Sequence, residues 1–442
     1  SSSRQPLDAM LRIVTQKSEA EAELKRICDR IYDDQMIHKE ATVSEIIQNV
    51  RRKGDAALLH YTAEFDGQEF TAGELRVTGA ELDAAYQQVK GELLKAIETA
   101  HQRIAEFHQM RVPQSWVHFG DKNIVLGKRY NPVDAAGIYI PGGQAAYPST
   151  VLMNAVAAKV AGVPRVVMVT PPGKDKTVNA AILVAAQVAG VEEIYRVGGA
   201  QAIAALAYGT ETIPKVDVIT GPGNIYVTLA KKQVFGRVGI DSIAGPSEVL
   251  IIADASANPS YVAADMLAQA EHDAMAAAIL LTTDSRLANR VVEEVKRMLE
   301  NHPRRTLTEK SIANYGLVVV TESLHTAAAL SNSFAPEHLE LELEDPWALL
   351  PQIRHAGAIF LGHDTPEAVG DYIAGPNHTL PTCGAARYAS PLGVEVFLKH
   401  SSLIQYNQEA LKEIAPAIAA LTEAEGLPSH GDSVRLRTSR DS

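Results

Sequence analysis

The residues best suited to chemistry lie in the second half of the sequence. In Asp265-Met266-Leu267-Ala268-Gln269-Ala270-Glu271-His272, Gln269 and His272 are three apart and share one face of a helix that Ser260 is expected to cap. Two donors so placed can hold a metal ion, as paired side chains do in helical zinc sites. A solvated helical face is the competing account, and on this segment alone the more economical one. In Phe334-Ala335-Pro336-Glu337-His338-Leu339-Glu340, a carboxylate and an imidazole follow a proline at the entrance to a short alternating strand. Such a pair can act as acid and base, each contributing roughly 10²–10⁴-fold when well placed. Adjacent residues need not point together, so an exposed loop competes. Asp371 and His378 bracket the turn Gly375-Pro376-Asn377, and Glu425 and His430 bracket Gly426-Leu427-Pro428-Ser429. Each pair sets an anion and an imidazole beside turn residues, where function concentrates but inert polar groups are also common. Nine of the fourteen histidines lie from His272 onward, which favours a site built by the second half.

Phosphate-binding signals are thinner. Neither Gly-x-Gly-x-x-Gly nor a Walker-type loop is present, so the usual dinucleotide fingerprint is missing. Three glycine turns stand at strand ends instead: Pro141-Gly142-Gly143, Val197-Gly198-Gly199-Ala200-Gln201 and Gly221-Pro222-Gly223-Asn224. Ligands of α/β sheets gather at the carboxyl ends of strands, although plain turn chemistry would produce the same residues.

Positioning these groups requires a scaffold, and its elements show in the pattern. Residues 18–105 read as largely helical, with Leu24, Ile27 and Ile31, then Leu93, Ile97 and Ile104, on apolar faces. From Ala136 short apolar strands alternate with Ala-rich helices: strands at Gly137–Ile140, Arg165–Val169, Glu193–Val197 and Val216–Ile219, helices at Val151–Ala161 and Val178–Val188. A second set of strands follows at Val249–Ala253, Ala278–Thr283, Gly316–Val320 and Ala358–Leu361. This alternation predicts parallel βαβ units in two α/β domains. Past Asp371 the chain turns irregular, then ends in a helix near Gln408–Ala424 and a tail too small for a core of its own.

Bulk properties fit an ordinary globular chain of 442 residues, 46% apolar and 21% charged. A formal charge of −12 argues against nucleic acid as the main partner, since phosphate backbones call for a basic face. Only Cys28 and Cys383 are present, which allows neither a disulfide framework nor a thiolate zinc knuckle and suits a reducing compartment. No charge-free apolar run of ~18 residues appears and the start lacks a secretion signal, so a soluble protein with no membrane association is expected. The segment before Met10 reads as a processed or appended leader.

Taken as an ordered set, the motifs resemble the histidinol dehydrogenase family from roughly Ile46 to Arg437. They are Gly137-Ile138-Tyr139-Ile140-Pro141-Gly142-Gly143, Gly198-Gly199-Ala200-Gln201 through Thr210, Ala244-Gly245-Pro246-Ser247-Glu248-Val249-Leu250, Ala270-Glu271-His272-Asp273, Ala335-Pro336-Glu337-His338-Leu339 and Ala374-Gly375-Pro376-Asn377-His378-Thr379-Leu380-Pro381-Thr382. The resemblance implies a four-electron, NAD-linked oxidation of L-histidinol through L-histidinal to L-histidine, the last step of histidine biosynthesis. It implies one zinc per subunit on Gln269, His272, Asp371 and His430. His338 would be the general base and Glu337 the residue that activates water. Ser247, His378 and Glu425, together with the zinc ligands and His338, would surround the substrate. Tyr139, Gln201 and Asn224 would contact NAD.

The implied fold is α/β, with two incomplete Rossmann-like parallel-sheet domains and small helical N- and C-terminal extensions, in an intertwined homodimer where the tail of one subunit completes the other's site. The corresponding boundaries are an extension at 1–34, a first domain of 35–135 plus 240–385, an NAD-binding domain at 136–239 and an exchanged tail at 386–442. Localisation would be cytoplasmic, or the plastid stroma in a plastid-bearing organism. Two alternatives stay open on the sequence: a metal-dependent hydrolase in which Glu337 activates a metal-bound water, and a relative kept for binding alone.

Overall fold

The computed structural model describes residues 10–142 and 147–439. Gly143 and the segment before Met10 lie outside the described residues. In chain order the strands are β1 (Ile13–Val14), β2 (Trp116–Phe119), β3 (Val125–Pro132), β4 (Ala135–Tyr139), β5 (Arg165–Val169), β6 (Glu193–Tyr195), β7 (Val218–Thr220), β8 (Gly239–Ile240), β9 (Glu248–Ala253), β10 (Ala277–Thr282), β11 (Gly316–Val320), β12 (His338–Glu342), β13 (Ala358–Leu361) and β14 (Leu398–Gln405).

The chain forms two compact units, Ser1–Met110 with Asp134–Phe397, and Arg111–Val133 with Leu398–Ser442. The first holds two parallel sheets, ordered β6-β5-β4-β7-β8 and β1-β11-β10-β9-β12-β13. Counted from β4 in the first sheet and from β9 in the second, five strands of each run 3-2-1-4-5, with β1 added at the edge of the second. That is the doubly wound order short of its sixth strand, as expected for incomplete Rossmann-like domains. Apart from Glu248 at the start of β9 and Thr282 at the end of β10, these two strands are Val, Ile, Leu and Ala runs buried at every residue, the signature of parallel strands covered on both faces. β1, which the sequence pattern does not announce, adds two parallel residues at the free edge of β11.

β12 departs from this apolar pattern. Leu339 and Leu341 enter the core with Leu250 and Ile252. His338, Glu340 and Glu342 project to the opposite face, in register with Val249, Ile251 and Ala253. All five residues of β12 are buried, so the alternation that ordinarily marks a half-exposed strand here marks a polar stripe inside the protein.

The helix Pro259–Ala270 covers that face through Val262, Ala263, Met266 and Leu267. Its cap is Asn258, whose Oδ1 accepts the Ser260 N–H at 2.9 Å, and not Ser260 as the sequence suggested. Pro259 occupies the first turn, where its missing N–H costs nothing. The helix stops at Ala270, so Gln269 lies inside it and His272 just beyond its end.

The second unit is a three-stranded antiparallel sheet, β14-β3-β2, with the helices Gln408–Glu425 and Pro428–Thr438. Among its described residues only Gly127 and Ala410 are buried. Trp116, Phe119, Ile404, Leu421 and Leu436 are at least half exposed.

Candidate active site

Glu337 and His338 are presented by a forced turn. The helix Leu324–Phe334 ends at Ala335, whose φ of 53° is left-handed and costs a non-glycine residue roughly 1–2 kcal/mol. Pro336 cannot continue the helix, and the chain passes straight into β12. Beside it, Gly357 and Ala358 donate their N–H groups to the carbonyls of Pro336 and Glu337, both at 2.9 Å. A Cβ on Gly357 would lie 2.4 Å from the Glu337 carbonyl oxygen, so this approach requires glycine.

Buried at the amino end of β12, His338 is ringed by oxygen. Its Nδ1 lies 3.0 Å from the Glu248 carbonyl and 2.9 Å from Oε1 of Glu337. Both are acceptors, so Nδ1 carries the proton and Nε2 is left to exchange one. Nε2 faces Oε1 of Glu367 at 3.4 Å and Oδ1 of Asp371 at 3.9 Å. Burial alone would depress the imidazole pKa; Glu367, Glu337 and Asp371 together overcome it and raise it to about 10, so while these carboxylates are uncompensated Nε2 keeps a proton of its own and can accept one only when positive charge offsets them. Burial likewise raises Glu337, against the pull of His338.

Glu248 and Arg30 form the support behind this pair. The fully buried Glu248 carboxylate accepts the Glu337 N–H at 3.2 Å and meets the Arg30 guanidinium at 3.3 Å. Arg30 also donates to the carbonyls of Ile27, Met275, Pro246 and Ser247. Burial pushes Glu248 up to about 7 in spite of Arg30.

Opposite Nε2 stand the possible metal donors. One atom each from His272, Glu367 and Asp371 lies within 4.8 Å of the other two. Glu367 and Asp371 are one turn apart on the helix Glu367–Tyr372. With its amide nitrogen turned towards Glu367, Gln269 donates to both carboxylate oxygens, at 2.9 and 3.0 Å. That orientation leaves its carbonyl oxygen for another partner. His378 lies in the same region of the first unit; burial lowers it, while Asp371 acts in the other direction. Ser247 immediately precedes β9, its carbonyl taken by Arg30 and Ala277. Glu425 and His430 belong to the second unit, exposed at the end of one helix and the start of the next.

The acid–base pair and its supports in the first unit stand at the amino ends of β9 and β12. The sheet β6-β5-β4-β7-β8 has its glycine turns at the carboxyl ends, where ligands of such sheets bind. Tyr139 closes β4, and its buried hydroxyl accepts the Gly199 N–H at 3.0 Å; burial pushes its pKa up to about 12. Asn224 caps the helix Ile225–Val234 through the Val227 N–H, and Gln201 is buried with its amide 3.4 Å from Asp66. Gly221 is required, since a Cβ there would meet the Tyr139 carbonyl oxygen. A cleft of about 230 Å³ opens at this edge between Pro141, Gly142, Thr170, Pro171 and Thr177.

The three supports missed by sequence reasoning differ in how they could have been found. Glu367 stands four residues before Asp371, a helical spacing visible in the sequence. Glu248 sits inside a quoted motif without an evident task, and Arg30 carries no local signal. Cys383 is poorly suited to act as a nucleophile: burial pushes its thiol up to about 12.

Fold and site define an α/β enzyme scaffold with an acid–base pair beside a nitrogen-and-oxygen donor cluster. The histidinol dehydrogenase family profile matches residues 30–438. Histidinol dehydrogenase 2 of Trichormus variabilis is 72% identical over 432 residues, covering 98% of this chain and 100% of that protein. The Synechococcus histidinol dehydrogenase is 70% identical over 428 residues, covering 97% and 99%. The crystal structure of histidinol dehydrogenase from Elizabethkingia anophelis superposes with a TM-score of 0.91 at 36% identity, covering 98% and 99%. The chain therefore belongs to the histidinol dehydrogenase family of oxidoreductases. An acetylating aldehyde dehydrogenase from Geobacillus thermoglucosidasius, at 14% identity and a TM-score of 0.50 over 85% of this chain and 99% of that one, shares the fold alone.

Proposed function

We propose that the chain is a zinc-dependent, NAD-linked histidinol dehydrogenase that oxidises L-histidinol through L-histidinal to L-histidine, a four-electron reaction closing histidine biosynthesis. The observation that carries this reading is the orientation of His338, with Nδ1 fixed by the Glu248 carbonyl and Nε2 turned towards the donor cluster.

The residues present fit a zinc ion. Glu367 holds the Gln269 NH₂, which frees the amide oxygen to coordinate, and His272 and Asp371 add nitrogen and carboxylate donors. Zinc would be held by Gln269, His272, Asp371 and His430 of the partner subunit. When bound it supplies an anchor for the substrate's imidazole and amine, and positive charge that offsets the carboxylates around His338. The glycine turns and helix starts near Tyr139, Gln201 and Asn224 suit NAD, which supplies the hydride acceptor in both oxidations.

The chain's own groups do the proton work. Nε2 of His338 takes the hydroxyl proton as the alcohol becomes an aldehyde. Glu337, held by its backbone against Glu248, takes a proton from the water that adds to that aldehyde. The hydrate then gives its one remaining C–H hydride to a second NAD⁺ and releases its hydroxyl protons through the same acid–base groups to solvent, leaving the carboxylate. Ser247, His378 and Glu425 would line the substrate's surroundings.

A homodimer is part of this reading. The tail unit has almost no core, exposes large apolar side chains and carries Glu425 and His430, as expected of a segment that completes a neighbour's site. The domain boundaries implied by the family belong to the same proposal: 35–135 with 240–385 for metal and catalysis, 136–239 for NAD.

The test counts NADH formed per L-histidinol consumed by zinc-loaded protein in excess NAD⁺. Two, abolished by chelation and restored by zinc, is the expected result. One would remove the Glu337 step from the proposal, and none in the folded, metallated protein would overturn it in favour of a hydrolase or a binding protein.

A further inference from the structure

A second cluster of titratable groups lies on the same buried face of β12, away from the acid–base pair. One carboxylate oxygen each from Asp265, Glu340 and Glu342 lies within 4.8 Å of the other two. Glu340 and Glu342 are 1% and 2% exposed. Oε1 of Glu340 accepts the Glu367 N–H at 3.0 Å, but Oε2 of Glu340 and Oε2 of Glu342 are buried with no hydrogen-bond donor. Orphaned carboxylate oxygens away from water are costly unless something positive meets them. Asp265 also lies within side-chain hydrogen-bond reach of Glu340, so a proton between them offsets part of that cost, while the charges acting on these two residues still come foremost from within the cluster and share one sign: Asp265 on Glu342, Asp265 and Glu342 on Glu340.

We propose that Asp265, Glu340 and Glu342 form a second metal site, for a hard divalent cation of the Mg²⁺, Mn²⁺ or Ca²⁺ class. All three donors are carboxylate oxygens, which select hard ions, whereas the histidine-bearing cluster suits zinc. The spacing fits, since two oxygens on opposite sides of one Ca²⁺ stand about 4.8 Å apart at a bond length of ~2.4 Å. The site has a structural task. Asp265 precedes Gln269 by one helical turn and Glu340 follows His338 by two strand positions, so the two clusters share a helix face and a strand face. Glu340 also holds the backbone N–H of Glu367, the residue that orients Gln269. A cation here would brace Gln269, His338 and Glu367 from behind. This inference does not depend on the identity of the substrate.

The experiment titrates Mn²⁺ into zinc-saturated protein and reads free Mn²⁺ by its electron paramagnetic resonance, with zinc content measured on the same samples. The expected result is one Mn²⁺ per chain, displaced by Ca²⁺ or Mg²⁺. Affinity should fall at least about tenfold in Glu342→Gln while zinc stays bound, because removing one of three carboxylate ligands weakens a charge-built site. Glu→Gln keeps the side-chain volume and removes a buried charge; Asp265→Asn, read in the same way, supplies a second variant should the first fail to fold. Absence of Mn²⁺ binding to the wild-type protein, or unchanged affinity in the folded variant, overturns the proposal.

Discussion

Nδ1 of His338 lies 3.0 Å from the carbonyl oxygen of Glu248, on the neighbouring strand. Glu248 thereby holds both members of the acid–base pair: its backbone fixes the tautomer of His338, and its side chain accepts the N–H of Glu337. Arg30 in turn fixes Glu248. The pair owes its geometry to β9 and to the N-terminal segment as much as to its own loop.

Glu367→Gln should weaken zinc binding and slow turnover together. Glu367 orients the Gln269 amide and faces Nε2 of His338, and loss of such a supporting partner typically costs 10–100-fold in metal affinity or activity. Competition with a chelator measures the first effect and steady-state kinetics the second. Unchanged affinity with normal kcat would show that Glu367 supports neither group.

Gly357→Ala should cost activity out of proportion to stability. The new Cβ meets backbone, the Glu337 carbonyl, and that strand end must move. A misplacement near 1 Å can reduce turnover about 10²-fold. Kinetics and a thermal melt on the same preparation separate this from general unfolding; a fall in melting temperature with full activity in the folded fraction would refute it.

Cys383→Ser should retain near-normal turnover, and the native thiol should resist alkylation. Burial, with Glu248 adding in the same direction, raises Cys383 to about 12. At pH 8 its thiolate fraction is then about 10⁻⁴, against roughly a quarter for an ordinary cysteine. The sign for stability follows: the folded chain keeps this proton after the unfolded one loses it, so the contribution is intact below about pH 8.5 and is lost as pH rises towards 12. Iodoacetamide labelling of native and unfolded protein checks the reactivity. Rapid native labelling at pH 8, or an inactive serine variant, would return the thiol to consideration.

Much of the scaffold was legible in the sequence. The strands around Arg165 and Gly316 stand where the apolar runs placed them, because a strand buried on both faces leaves an unmistakable composition. The antiparallel sheet β14-β3-β2 was not legible: β2 is exposed at all four residues, so no buried face imposes a period on its side chains. In the site, Glu337 and His338 stood out as neighbours in sequence. Arg30 and Glu248, 218 residues apart, form a pair that only the folded chain brings together. Glu340 and Glu342 carry the pattern of a half-solvated strand, and the helix that buries them is invisible in that local pattern.

The pairing of Ile13–Val14 with Val318–Val319 has a consequence for biosynthesis. During translation at about 5–20 residues per second, the partner of the first strand emerges roughly 15–60 s after it. Throughout that interval the helix Lys17–Cys28 carries Leu24 and Ile27 without the core they later enter, which includes Leu317 and Phe334. The nascent amino terminus thus carries apolar side chains that must wait for their partners, open in that interval to contact with other chains.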